Sequence, residues 1–147
     1  MPVSRAPGGV FRKILQVRFA DVDFARVLYF PRHFHFLHLV MEDFFREVLD
    51  IPYSVVLKED HVGFPTVRVE ADFMAPLEFG DEVEVAMKVK ELGRSRVVFG
   101  YEVLKAGQVA ARCVQTVATI DATAWKPIDL PPKYRAGLEA VRGMPAE

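Results

Sequence analysis

The sequence predicts an α+β domain: one strand, one long buried helix, then four antiparallel strands. Two observations predict it. Apolar side chains recur at helical spacing over residues 31–50, and beyond residue 66 the period drops to two. The period-two segments follow one another with short turns between them, which implies antiparallel pairing.

Residues 13–20, KILQVRFA, read as the first strand. Pro31 then stands where a helix tolerates proline, because the first turn has no acceptor for its missing N–H. From there Phe34, Leu37, Val40, Met41, Phe44, Phe45 and Val48 form one stripe, and Phe36 and Leu39 widen it, so this helix is expected to be largely buried. DIPYS at 50–54 ends it. In TVRVEADFMAP, Val67, Val69, Ala71 and Phe73 alternate with Arg68, Glu70 and Asp72. DEVEVAMKVKEL places Val83, Val85, Met87 and Val89 on one face, with Glu82, Glu84, Lys88 and Lys90 mainly on the other. SRVVFGYEVLK and QVAARCVQTVATID complete the set, joined by turns near Gly93 and Gly107. The Pro-punctuated tail is expected to form a short exposed helix from Pro132. A lone sheet with long edges needs partners, so an oligomer is expected.

Composition excludes several classes. With 147 residues, 51% hydrophobic and 27% charged, the chain suits one domain with a real core, and its net charge of −1 offers no footprint for nucleic acid. No apolar run has the roughly 20 residues of a membrane span, and MPVSRAPGGVFRK lacks a signal-peptide core, so a cytoplasmic location is expected. The one cysteine, Cys113, excludes an internal disulfide, and its place in an alternating strand reads as a buried structural thiol. The absence of Asn fits a heat-adapted source or a biased genome composition.

Motifs for nucleotide binding, serine hydrolysis and zinc proteolysis are missing. His33, His35 and His38 suggest metal ligands, but positions 33 and 35 lie about 200° apart on a helix, so packing or solvation explains them better and no metal is expected. What remains is FADVDFARVLYFPRHFHFLH at 19–38, where Asp21 and Asp23 interrupt an apolar run just before the helix. A carboxylate there faces the unsatisfied N–H groups and positive dipole of a helix start. Those N–H groups can also polarise a carbonyl, so the loop and helix start contain two halves of an acyl-transfer site. Capping or simple solvation of the two acids is the competing reading, and spacing alone leaves both open.

VRFADVDFARVLYFPRHFHFLH, FPTVRVEADFMAPLEFGDEVEV and KPIDLP together resemble the hotdog-fold acyl-CoA thioesterases of the 4-hydroxybenzoyl-CoA thioesterase type, over roughly residues 13–132. The D-x-D block and the A-P-L-x-x-G-D turn at 75–81 are the most specific parts. The resemblance implies a single hotdog domain over 1–147, with a five-stranded antiparallel sheet wrapping a long central helix. Its core would cover about 13–122, with the Pro-rich tail and short helix at 123–147. It also implies homodimers or homotetramers with interfacial sites, acyl-CoA as substrate, and no separate cofactor. With such a substrate, the basic residues near the third hairpin, Lys90, Arg94 and Arg96, are suited to the coenzyme A phosphates, with solvation as the plainer alternative. By that resemblance Asp23 attacks the thioester or activates water, and the backbone N–H near Phe30 holds the thioester oxygen. Asp21 becomes its structural partner, bonding loop amides. Tyr29 and His33, with Phe24, Phe30 and Phe34, would shape an aromatic pocket. Two departures stand out: Phe24 and Arg26 occupy positions that are usually small or glycine, and Phe30 replaces a histidine of the related Tol-Pal cluster enzymes. A hotdog hydratase or dehydratase, using His33 or His61 with an acid, and a non-catalytic acyl-thioester-binding module are the alternatives.

Overall fold

The computed structural model describes residues 9–142. The elements are β1 (Phe11–Gln16), α1 (Phe30–Glu47), α2 (Tyr53–Lys58), β2 (Val62–Gly63), β3 (Thr66–Phe73), β4 (Glu82–Leu92), β5 (Arg96–Lys105), β6 (Gln108–Ala118), β7 (Ile120–Asp121), β8 (Lys126–Pro127) and α3 (Pro132–Glu139). Five strands form one antiparallel sheet in the order β1-β4-β5-β6-β3, and β2, β7 and β8 make a small second one. The sheet curls around α1, giving the hotdog architecture expected from the sequence.

Alternation decides which face of each strand meets the helix. Val83, Val85, Met87 and Val89 of β4 and Val97, Phe99, Tyr101 and Val103 of β5 are all buried, with Lys88 and Lys90 on the outer face. Phe36, Leu37, Val40, Met41, Phe44 and Phe45 of α1 fill the concave side, with Phe11 edge-on to Phe44 at 5.6 Å. Each such side chain contributes about 1.5–3 kcal/mol of burial. The β5–β6 hairpin turns through Ala106 and Gly107, whose positive φ values of 51° and 79° match the right-handed twist of the strands.

Several features differ from expectation. β1 ends at Gln16 rather than residue 20, because the Val17 amide turns to the Asp81 carbonyl and Phe19–Asp21 coils into a 3-10 turn. α1 stops at Glu47, short of residue 50, where Asp50 adopts a left-handed φ of 58° and the Ile51 amide returns to the Phe45 carbonyl. The tail helix α3 is not merely exposed: Tyr134 and Leu138 are buried, as is Val141 just beyond it, and Gly137 lies so close to Leu49 that a Cβ there would meet its Cδ2 at 1.8 Å. Pattern reading missed this because so short a segment carries only a few apolar positions.

Asp60 clasps α3. It accepts the Tyr134 hydroxyl and pairs with Lys133 at 2.6 Å. Lys133 first, then Tyr134, hold its carboxyl below the usual range. A depressed acid contributes stability that is complete above its unfolded pKa and is lost as pH falls through its folded one. Urea midpoints of wild type and Asp60→Asn are therefore expected to differ at about pH 6 and to converge only as pH falls below the ordinary Asp value of about 4. A constant gap would remove the clasp from the account.

The sheet has two outer edges, on β1 and β3, and the β3 edge carries more exposed apolar side chains. α1 packs most closely on β1 and β4, and β3 overhangs beyond β6. Val67, Val69 and Phe73 of β3, with Met74 just beyond it, are exposed, and among the described residues the outer edge of β3 pairs with no strand.

Candidate active site

The link between β1 and α1 is a small ladder. Val22 bridges Leu28, Val27 bridges Glu78, and the Leu28 amide donates to the Leu77 carbonyl at 2.6 Å. At its tip the Asp23 amide donates to Val27 and the Arg26 amide to the Asp23 carbonyl, closing a turn over Asp23, Phe24, Ala25 and Arg26. Arg26 has a φ of 68°, the left-handed region where glycine is least strained. This is one of the two positions where the sequence departs from the expected small residue. Phe24 at the other projects fully into solvent.

The two acids of D-x-D diverge. Asp21 is 5% exposed; one oxygen accepts the Arg18 amide at 2.8 Å, and the other accepts Nε and Nη2 of Arg32 at 3.1 and 2.7 Å. The loop is thus pinned to the first turn of α1 through a partner that sequence reasoning did not name. Asp23 is exposed, and Oδ1 accepts the Ala25 amide at 2.8 Å in an Asx turn. Its second oxygen stays available. The carboxylate lines an open groove of about 580 Å³ with Phe19, Val22, Val27 and Phe79, the two rings lying 5.9 Å apart.

At the helix start Pro31 has no N–H, the Tyr29 amide donates to Asp21 and the Arg32 amide to Tyr29. No side chain caps the helix, and among the described residues the Phe30 amide has no backbone acceptor. That leaves a free donor at the positive end of the dipole. Phe30 and Tyr29 are exposed, with ring centroids 5.7 Å apart. Phe73 of β3 joins them: its ring lies 6.1 Å from Phe30, 6.3 Å from Phe34 and 4.7 Å from His33. Phe73 was missing from the expected site, since only sheet closure brings β3 to the helix start. His33 is 6% exposed, and burial lowers its pKa, which favours the neutral ring.

The basic residues do not gather here. Lys90 lies on the outer sheet face, its stem over Gly100, where a Cβ would come within 2.9 Å of its Cγ and Cδ. Arg94 pairs with Asp129 at 3.0 Å and Arg96 with Glu91 at 2.6 Å. They flank the far end of β4, roughly 35 Å of strand path from its Asp81 end. The other histidines are apart too. His38 contacts Glu42 at 2.9 Å, and among the described residues no three His, Cys, Asp or Glu side chains are grouped to hold a metal ion. Cys113 is buried, and burial pushes its thiol up to about 11, so it stays protonated at neutral pH. No described helix is long and apolar enough to cross a membrane.

The family model described as the thioesterase-like superfamily matches residues 17–138, a span that includes the ladder, α1 and the whole sheet except β1. The chain belongs to the thioesterase-like superfamily. A 1,4-dihydroxy-2-naphthoyl-CoA hydrolase of Synechococcus sp. is 32% identical over 129 residues, covering 84% of this chain and 86% of the relative. One from Nostoc punctiforme is 29% identical over 126 residues, covering 86% and 84%. Among solved structures, a 1,4-dihydroxy-2-naphthoyl-CoA thioesterase from Synechocystis superposes with a TM-score of 0.80 at 24% identity, covering 88% of this chain and 95% of that one. The thioesterase-like fold and the class of thioester hydrolase expected from the sequence agree with these relatives. The finer resemblance, to the 4-hydroxybenzoyl-CoA type, is not the one that these names carry.

Proposed function

We propose that this superfamily member hydrolyses an aromatic acyl-CoA thioester to the free acid and coenzyme A, with Asp23 as the acting carboxylate. The observation that carries the reading is the free Phe30 amide at an uncapped helix start, walled by Tyr29, Phe30 and Phe73. An amide so placed suits the thioester oxygen, which gains negative charge as the carbonyl carbon becomes tetrahedral. Asp23 either attacks that carbon, forming a mixed anhydride that water then cleaves, or takes a proton from the attacking water. Both routes expel the coenzyme A thiolate and need the ionised acid. The names of the naphthoyl-CoA relatives support an aromatic acyl group. Coenzyme A is then part of the substrate, and no further cofactor enters. The hydratase reading is weaker, since His33 makes no hydrogen bond to an acid and its Nδ1 is buried without a partner.

Thiol release from benzoyl-CoA, hydroxylated aryl-CoAs, and short- and long-chain aliphatic acyl-CoAs tests the proposal. The aryl thioesters are expected to have a kcat/KM at least about 10-fold above the aliphatic ones, a margin of about 1.4 kcal/mol. Equal or faster aliphatic turnover would overturn the aromatic assignment.

The uncovered β3 edge supports a dimer in which a second copy extends the sheet, burying Val67, Val69, Phe73 and Met74. Light scattering is expected to give a dimer or tetramer at micromolar concentration; a stable monomer sinks it. Any coenzyme A phosphate held by Lys90, Arg94 or Arg96 then belongs to another subunit's site. Arg94→Ala and Arg96→Ala are expected to raise KM more than they lower kcat, because remote contacts contribute uniform binding. Unchanged KM in both returns these arginines to their ion pairs.

A further inference from the structure

The A-P-L-x-x-G-D segment at 75–81 has no task in the proposed hydrolysis. It ends in a tight turn: the Asp81 amide donates to the Glu78 carbonyl at 3.0 Å, and Gly80 takes a left-handed φ of 93°. Both ends of the loop that carries Asp23 are fastened to this turn. On the β1 side, the Val17 amide donates to the Asp81 carbonyl at 2.8 Å, and the Val17 carbonyl accepts the Gly80 amide at 2.9 Å. On the α1 side, the Leu28 amide donates to the Leu77 carbonyl and Val27 bridges Glu78. The Val27 carbonyl in turn accepts the Asp23 amide at 3.0 Å. Asp23 is therefore mounted on the turn, and the Asp81 side chain fixes the turn. Its Oδ2 accepts the Glu78 amide at 2.7 Å, and it also accepts Nζ of Lys105, the last residue of β5, at 2.8 Å. The Lys105 ammonium first, with the Glu78 amide adding to it, holds this carboxyl below the usual carboxylate range. One oxygen thus closes the turn and ties it to the sheet.

We propose that Asp81, paired with Lys105, is a positioning residue for the hydrolysis: through Glu78 and Val27 it holds the Asp23 carboxylate in reach of a thioester carbonyl seated on the Phe30 amide. The proposal rests on the reading of Asp23 as the acting carboxylate. Asp81 does not line the groove that Asp23 shares with Glu78 and Phe79, so it acts only through the loop. A misplacement of about 1 Å between reacting groups is enough to slow a reaction by one to two orders of magnitude. Loss of the Asp81 bonds is thus expected to appear in kcat, while KM, set by contacts that remain, changes little.

The test measures kcat and KM on the best acyl-CoA for Asp81→Ala, Asp81→Asn and Lys105→Met, each alone and combined with Asp23→Asn. Asp81→Ala removes both bonds and is expected to lower kcat by about 10-fold or more, with KM within about twofold of wild type. Asp81→Asn, which keeps an acceptor for the Glu78 amide, and Lys105→Met, which leaves that bond in place, are expected to lose less. In the Asp23→Asn background, Asp81→Ala is expected to leave the residual kcat unchanged, because no carboxylate remains to be positioned. An equal fall in both backgrounds, or a kcat that follows the folded fraction seen by circular dichroism, overturns the proposal in favour of a purely structural turn. Wild-type kcat in Asp81→Ala overturns it as well. If Asp81→Ala does not fold, the two milder variants decide by the same comparison, each lowering kcat only where Asp23 is present. Near wild-type turnover of Asp23→Asn alone sinks the proposed function and this inference with it, whereas collapsed turnover there with additive losses sinks this inference only.

Discussion

Asp23→Asn is expected to lower kcat on the best acyl-CoA by at least about 100-fold while leaving the fold and substrate binding nearly intact. The geometry makes this substitution unusually clean. Asp23 supports its loop with Oδ1 alone, which accepts the Ala25 amide at 2.8 Å. The side-chain carbonyl of Asn can accept the same bond, so the Asx turn survives. What disappears is the negative charge, required both for attack on the carbonyl and for deprotonation of water. Steady-state kinetics with circular dichroism and a thermal melt separates the outcomes. An unchanged melt with collapsed turnover supports the carboxylate mechanism. Near wild-type turnover removes Asp23 from the chemistry and makes the binding-module or hydratase reading the better one.

Asp21→Asn is expected to do the opposite, costing stability more than turnover. Asp21 accepts three hydrogen bonds, from the Arg18 amide and from Nε and Nη2 of Arg32. An Asn presents an NH2 group to one of those sets of donors and leaves the guanidinium without its counter-charge. Complete burial of such a pair would make the loss about 3–5 kcal/mol, but Arg32's side chain is 36% exposed, so roughly 2 kcal/mol is the appropriate scale. For a chain of this length that corresponds to a fall in Tm of roughly 5 °C. Arg32→Ala is expected to reproduce most of it, and the double variant to cost less than the sum, because both remove one interaction. An Asp21→Asn protein with wild-type Tm would refute the pinning role. The adjacent acids are thus distinguished by partners: one holds the loop, and the other keeps an oxygen free.

Local pattern was enough to read the strand–helix–four-strand order, the inward faces of β4 and β5, and the loop before α1 as the place where acids meet a helix start. Those features depend on residues close in sequence: a period of two, a period of 3.6, and a proline at a helix's first turn. The departures at Phe24 and Arg26 were visible too, but not that Arg26 would take the left-handed turn position. The backbone has to close the ladder before that becomes a constraint.

Other features depend on which distant segments the folded chain brings together. Phe73 reaches His33 and Phe30 because β3 pairs with β6 at the sheet edge beyond the helix, more than 35 residues along the chain from either partner. Arg32 was an ordinary helix-surface cation in the sequence until the 3-10 turn at Phe19–Asp21 aimed a buried carboxylate at it. Lys90, Arg94 and Arg96 were legible as basic residues near one hairpin, but not that Arg94 would be paired with Asp129 and Arg96 with Glu91. Periodicity reports only which face of an element is apolar, and that is a one-dimensional property. Which atoms share a pocket follows from sheet order, twist and curl, which arise when the whole chain packs around α1.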